Sequence, residues 1–193
     1  MAITRAKASS IAQGPSTNRN LLAGNPVILG GSYESIQTYT LGSAQATITF
    51  SSIPATYKHL QLRILSKNSS DAYSIRAQFN SDTASNYTLH GLSGNGTSAS
   101  AYGFANQTST EVGLSADTTA NVFGVAVTDI LDYADTNKFK TVRVLTGYDK
   151  NGAGNAELRS GLWRSTSAIT SILLSSAVGN FTQHSSFALY GIK

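Results

Sequence analysis

The chain has 193 residues, a formal net charge of +4, only 12% charged side chains and no cysteine. The lack of cysteine excludes disulfides and thiolate metal centres, and no apolar run approaches the roughly 20 residues a bilayer-spanning helix needs. With the charged fraction at about half its usual value, polar surface must come from Ser, Thr, Asn and Gly, which favour turns and the solvent faces of strands over helices.

Residues 1–31 differ in kind from the rest. They hold Pro15 and Pro26, close on Gly30-Gly31, and show no sustained period of 2 or 3.6. Positive charge concentrates here in Arg5, Lys7 and Arg19, and no acidic residue precedes Glu34. The apolar islands Ile11, Leu21-Leu22 and Val27-Ile28-Leu29 are unusual for a disordered tail. The pattern predicts an extended N-terminal arm, reaching on the order of 100 Å when stretched, that docks on other subunits. Arg5, Lys7, Ile11, Arg19, Leu21, Leu22, Val27, Ile28 and Leu29 are its candidate partner-binding residues. The net positive charge is largely a property of the tail, with no basic groove on the domain, which argues against a nucleic-acid partner. Residues 1–20 contain no apolar h-region, so the chain is expected to be made in a cytoplasm, with no membrane as partner.

The domain is expected over residues 32–193. Tyr33 to Leu41 predicts a first strand, and Ala46, Ile48 and Phe50 alternate as a second. Leu60, Leu62 and Ile64 share one face of a third, with His59, Gln61 and Arg63 opposite. Tyr73, Ile75, Ala77 and Phe79 alternate again, and Tyr87 to Leu92 is short and β-like. Gly91 to Ala120, rich in Gly, Ser, Thr, Asn and Ala, reads as a functional loop or as weak edge strands.

Val122 to Tyr148 organises the rest. Its first half is apolar at most positions through Leu131, which predicts a central strand covered on both faces. Its second half alternates, with Lys140, Val142, Val144 and Thr146 on one side and Phe139, Thr141, Arg143 and Leu145 on the other. A polar break between them makes an antiparallel pair. Asp149-Lys150-Asn151-Gly152 is a strong turn signal. Leu158 to Arg164, with Trp163 in the core, Ile169 to Leu174, and Ser186 to Ile192 complete nine or ten strands. The terminal strand is expected to be buried, with Phe187 and Leu189 on one face and Gly191 admitting a close backbone. The count predicts an all-β fold: an antiparallel β-sandwich, jelly-roll-like, carrying the extended N-terminal arm.

Chemistry is sparse. Gly94 to Ala99 matches the dinucleotide fingerprint in letters but lacks the strand-turn-helix setting. Asp129, Asp132 and Asp135, spaced by three, are a candidate cation site, although strand-end and turn acids are the commoner explanation. The three histidines show no ligand spacing and no nucleophile elbow is present. The reading is of no enzyme and no cofactor. Tyr102 and Phe104, beside many amide side chains, are possible glycan contacts.

The residue blocks Leu21-Leu22-Ala23-Gly24-Asn25, Gly31-Ser32-Tyr33-Glu34-Ser35-Ile36, Ile48-Thr49-Phe50-Ser51-Ser52-Ile53-Pro54, Asp129-Ile130-Leu131-Asp132-Tyr133, Gly161-Leu162-Trp163-Arg164 and Ser186-Phe187-Ala188-Leu189-Tyr190-Gly191-Ile192 carry a resemblance. Together with shorter blocks they make the chain, from about Leu21 to Lys193, resemble a family of small virion proteins of tailed bacteriophages, common in cyanophages and marine phages. The resemblance implies a structural virion part, a capsid decoration (cement) protein or a tail-fibre component, and carries no catalytic motif. It implies the outer surface of the virion as location, the major capsid protein or other virion proteins as partners, and a homotrimer. The arm would then anchor the chain to the capsid. The alternative is a receptor-binding fibre part that recognises host-surface glycans.

Overall fold

The structure is a computed structural model that describes residues 32–193; the predicted arm, with its candidate contacts from Arg5 to Leu29, lies outside the described residues. Twelve strands run β1 (Tyr33–Thr40), β2 (Thr47–Phe50), β3 (His59–Ser66), β4 (Tyr73–Phe79), β5 (Tyr87–Gly94), β6 (Ala99–Gln107), β7 (Thr110–Ser115), β8 (Gly124–Leu131), β9 (Lys140–Asp149), β10 (Gly154–Trp163), β11 (Ile172–Ser176) and β12 (Ser186–Ile192). They form an eight-stranded sheet, β1-β12-β3-β8-β9-β10-β5-β6, and a four-stranded sheet, β2-β11-β4-β7, in which every ladder is antiparallel. The fold is an all-β sandwich.

The connectivity is that of a jelly roll. Four strands of the larger sheet, β1-β12-β3-β8, face β2-β11-β4-β7, and leaving aside the insertions the chain crosses between the two at every step except β4 to β7. Two insertions, β5–β6 and β9–β10, add four strands to one sheet only, beyond β8. The larger sheet therefore extends past the smaller, and β6 forms its far edge.

Period-2 patterning sets the core. Leu60, Leu62 and Ile64 of β3, Ile130 of β8, Val142 and Val144 of β9, and Phe187 and Leu189 of β12 point between the sheets, against Phe50, Ile75, Phe79 and Ile172 of the smaller sheet. Trp163 is buried, stacks on Tyr87 and donates its indole N–H to Asp82 Oδ2 at 2.7 Å, which is the polar partner a buried indole requires.

The predicted terminal strand is inside the sheet, hydrogen-bonded between β1 and β3. What packs over Gly191 is the ring of Tyr57, which a Cβ would strike, and not the neighbouring backbone that the sequence implied. The stretch Gly91 to Ala120 resolves into the end of β5 and two edge strands, β6 and β7. The dinucleotide-like Gly94 to Ala99 is the β5–β6 turn of an antiparallel hairpin.

One expectation is corrected. β8 is central, but it is not covered on both faces: Ala126, Thr128 and Ile130 are buried, whereas Val125 and Val127 face outward and are exposed. Among the described residues a second layer exists on one side only, because the smaller sheet packs against a single face of the larger.

Candidate functional site

The outer face of the eight-stranded sheet carries the molecule's main concentration of exposed aliphatic side chains. Strand register places them in rows. One row runs Val127, Leu145, Leu158, Leu92, Ala101 across β8, β9, β10, β5 and β6. The row beside it runs Leu65, Val125, Gly147, Ala156, Gly94, Ala99 across β3, β8, β9, β10, β5 and β6. From β8 to β6 neither row contains a charged residue; on β3 the first row continues into exposed Arg63, the register partner of Val127. Leu145 is 64% exposed, Leu92 59%, Val125 51% and Leu158 49%. The first row stands high on large side chains, while the small residues of the second leave a trough of about 620 Å³ beside Leu92, Leu145 and Leu158. Asp129, Arg143, Ser160 and His90 form the polar row along the other flank.

The opposite face of the insertion holds a buried polar network. Counting back by twos from buried Trp163 turns Gly161, Arg159 and Glu157 inward. The Arg159 guanidinium, 3% exposed, donates to Glu157 Oε2 at 2.6 and 2.7 Å and to Glu111 Oε2 of β7 at 2.8 Å. Glu157 also accepts from the Tyr102 hydroxyl at 2.6 Å and from Asn155 Nδ2 at 2.8 Å. Burial, reinforced by the bond to Glu157, pushes the Tyr102 hydroxyl up to about 12. The Tyr102 ring lies flat over Gly91, where a Cβ would strike it. The network joins β7 of one sheet to β5, β6 and β10 of the other. One guanidinium is shared by two carboxylates, and removing it would leave buried Glu157 without its cation. Sequence reasoning missed it, although the alternation Glu157-Leu158-Arg159-Ser160-Gly161-Leu162-Trp163 was available to find it.

One end of the sandwich is laced by lysines. Lys58 and Lys138 both pair with Asp132, and Lys138 also lies 3.5 Å from Asp135. The Lys138 and Lys58 ammonium groups hold the Asp132 carboxyl down at about 2. The Asp132 backbone N–H donates to His59 Nδ1 at 2.9 Å. Lys140 is fully buried, and its ammonium donates to the carbonyls of Asp135, Lys138 and Thr166. Burial lowers its pKa.

The sequence-predicted residues separate as follows. Asp132 and Asp135 come together around Lys138, whereas Asp129 lies on the outer face of β8 and accepts from Gln61 Nε2 at 2.9 Å. Among the described residues no group of three or more His, Cys, Asp or Glu is arranged to hold a metal ion. Tyr102 and Phe104 share one face of β6 with ring centroids 5.9 Å apart. The Tyr102 hydroxyl is committed to Glu157, and Phe104, half exposed, borders a cleft of about 300 Å³ with Arg76, Gln107 and Glu111. No helix among the described residues is long and apolar enough to cross a membrane.

Compared with known proteins, the chain matches no protein-family model, no curated protein and no solved structure.

Proposed function

We propose that this chain is a structural component of a bacteriophage virion, a capsid decoration protein that residues 1–31 anchor to the major capsid protein while the jelly-roll domain faces outward. The observation that carries this reading is the open apolar face of the eight-stranded sheet. A domain that exposes two uncharged rows of its central sheet is built to be covered by other protein. The jelly-roll connectivity and the residue blocks shared in pattern with small phage virion proteins support the same reading. The proposal assigns no catalysis and no cofactor, and it takes the outer virion surface as location. The test is deletion of residues 1–31 followed by binding to purified capsids. Loss of binding is expected; undiminished binding overturns the anchoring role.

A second reading, a tail-fibre or receptor-binding part, is favoured by one feature: the half-exposed Phe104 ring beside Arg76, Gln107 and Glu111. An aromatic face next to charged and amide groups suits a sugar ring. A glycan array probed with parent and Phe104→Ala decides this. A hit that Phe104→Ala abolishes supports the fibre reading, and a blank array removes it.

A further inference from the structure

We infer that the outer face of the eight-stranded sheet is the contact between copies of this chain, with the row Leu145, Leu158, Leu92 of one copy seated in the trough beside the same row of the next. This goes beyond the decoration reading and does not depend on it, since it concerns the purified chain alone.

Three observations identify a second copy as the occupant. The first is shape. A high row of Leu145, Leu158 and Leu92 lies immediately beside a low row of Gly147, Ala156 and Gly94, two residues along the same strands. A knob and a hole on one surface are self-complementary: turning a second copy about an axis between the rows places each ridge over the other's trough. The second is charge. From β8 to β6 neither row carries a charged side chain, the first row meeting a charge only at Arg63 of β3, so the centre of the contact holds no like-charge repulsion and no buried unpaired ion. The flanking row, in which Asp129 and Arg143 are register partners of opposite sign, lies beyond the high row and is carried by the same axis to the rim of the contact. The third is area. Exposed aliphatic side chains from Leu65 to Leu92 present on the order of 500 Å² of apolar surface, at the upper end of what a lone monomer shows. Covered by an equal patch, they make an interface of about 1,000 Å², the size at which specific association begins.

The edges of the sheet do not compete with this face for the same role. Pairing of β6 edge to edge would lengthen the sheet and leave both rows exposed.

The experiment is sedimentation of the full chain at micromolar concentration, for the parent, Leu145→Glu, Leu92→Glu and a control, Val178→Glu. Val178 is equally apolar and exposed but lies in the loop after β11, off this face. The parent and Val178→Glu are expected to sediment as the same multiple of one copy. Leu145→Glu and Leu92→Glu are expected to sediment as single copies with unchanged circular dichroism, and to melt below the associated parent, where the parent melts once diluted to single copies. A parent that is a single copy, its face left for some other polypeptide, overturns the inference. So does an oligomer that persists in both variants, or one that Val178→Glu disrupts equally. Because no capsid enters the assay, its failure is distinct from failure of the decoration reading.

Discussion

The two faces of the eight-stranded sheet carry similar side chains and meet opposite fates. On β3, β8 and β9 the inward residues Leu62, Ile130 and Val142 are wholly inaccessible. Their neighbours Leu65, Val127 and Leu145, on the same strands, are 38 to 64% exposed. Residue type is nearly constant across the comparison; what changes is the presence of a covering layer. Hydrophobic stabilisation scales with area removed from water, so aliphatic side chains contribute to folding on one side and remain in water on the other. A stability measurement and an association measurement should therefore respond to different faces.

The sharpest contrast comes from the inner face. Phe187 is fully buried and packs its ring against Phe181 at a centroid distance of 4.8 Å. Phe187→Ala is expected to cost about 3–5 kcal/mol through lost burial and the cavity left behind, read as a shift of the urea midpoint. A midpoint equal to the parent's would remove β12 from the core. Arg159→Ala is expected to cost a similar amount, about 3–5 kcal/mol, because buried Glu157 loses its cation and half-buried Glu111 loses its partner. Urea unfolding tests it, and a midpoint equal to the parent's would show that the network does not contribute.

The lysine-laced end gives a smaller, pH-signed effect. Asp132 has a folded pKa of about 2 against an ordinary 3.8. A depressed carboxylate stabilises above its unfolded value and loses that contribution as pH falls through the folded one. Asp132→Asn should therefore melt about 2 °C below the parent at pH 6, and the gap should close as pH falls from about 4 to about 2. A gap that stays constant over that window would show that the ion pairs do not contribute. The smallest effect belongs to the outer face. Leu145→Ala should change the unfolding free energy of a dissociated copy by less than about 0.5 kcal/mol. A loss as large as that of Phe187→Ala would make the outer face core and erase the contrast.

The inner face was legible in the sequence, the outer one only in part. Alternation in Leu60-Gln61-Leu62-Arg63-Ile64 and in Lys140 to Thr146 specified which residues enter the core, because period 2 is intrinsic to a strand. Two sheets and the buried final strand followed from it. β6 was not legible as a definite strand: Ala99 to Gln107 is mostly small or polar, and only pairing with β5 gives it form. The double-sided apolar pattern of Val122 to Leu131 predicts a cover on both faces, whereas Val125 and Val127 are exposed, because sequence periodicity does not say whether a second layer exists to cover an apolar face. The rows of the outer face were invisible for a further reason. Leu92, Leu145 and Leu158 are brought side by side by cross-strand register, and register is a long-range property. The Glu111–Arg159–Glu157 network was legible on its β10 side, where alternation turns Glu157 and Arg159 inward with Trp163, and hidden on the other, since Glu111 arrives from the other sheet.

The buried ammonium of Lys140 has a consequence of a different sort. It ties the carbonyls of Asp135 and Lys138, between β8 and β9, to that of Thr166, between β10 and β11. A dissolved cation clamping those oxygens would come and go with its concentration, and the stability it lent would follow mass action. Here the ion is part of the polymer. Its local concentration is set by a covalent stem, so dilution and chelators have no purchase on it, and this end of the sandwich stays closed wherever the chain is carried.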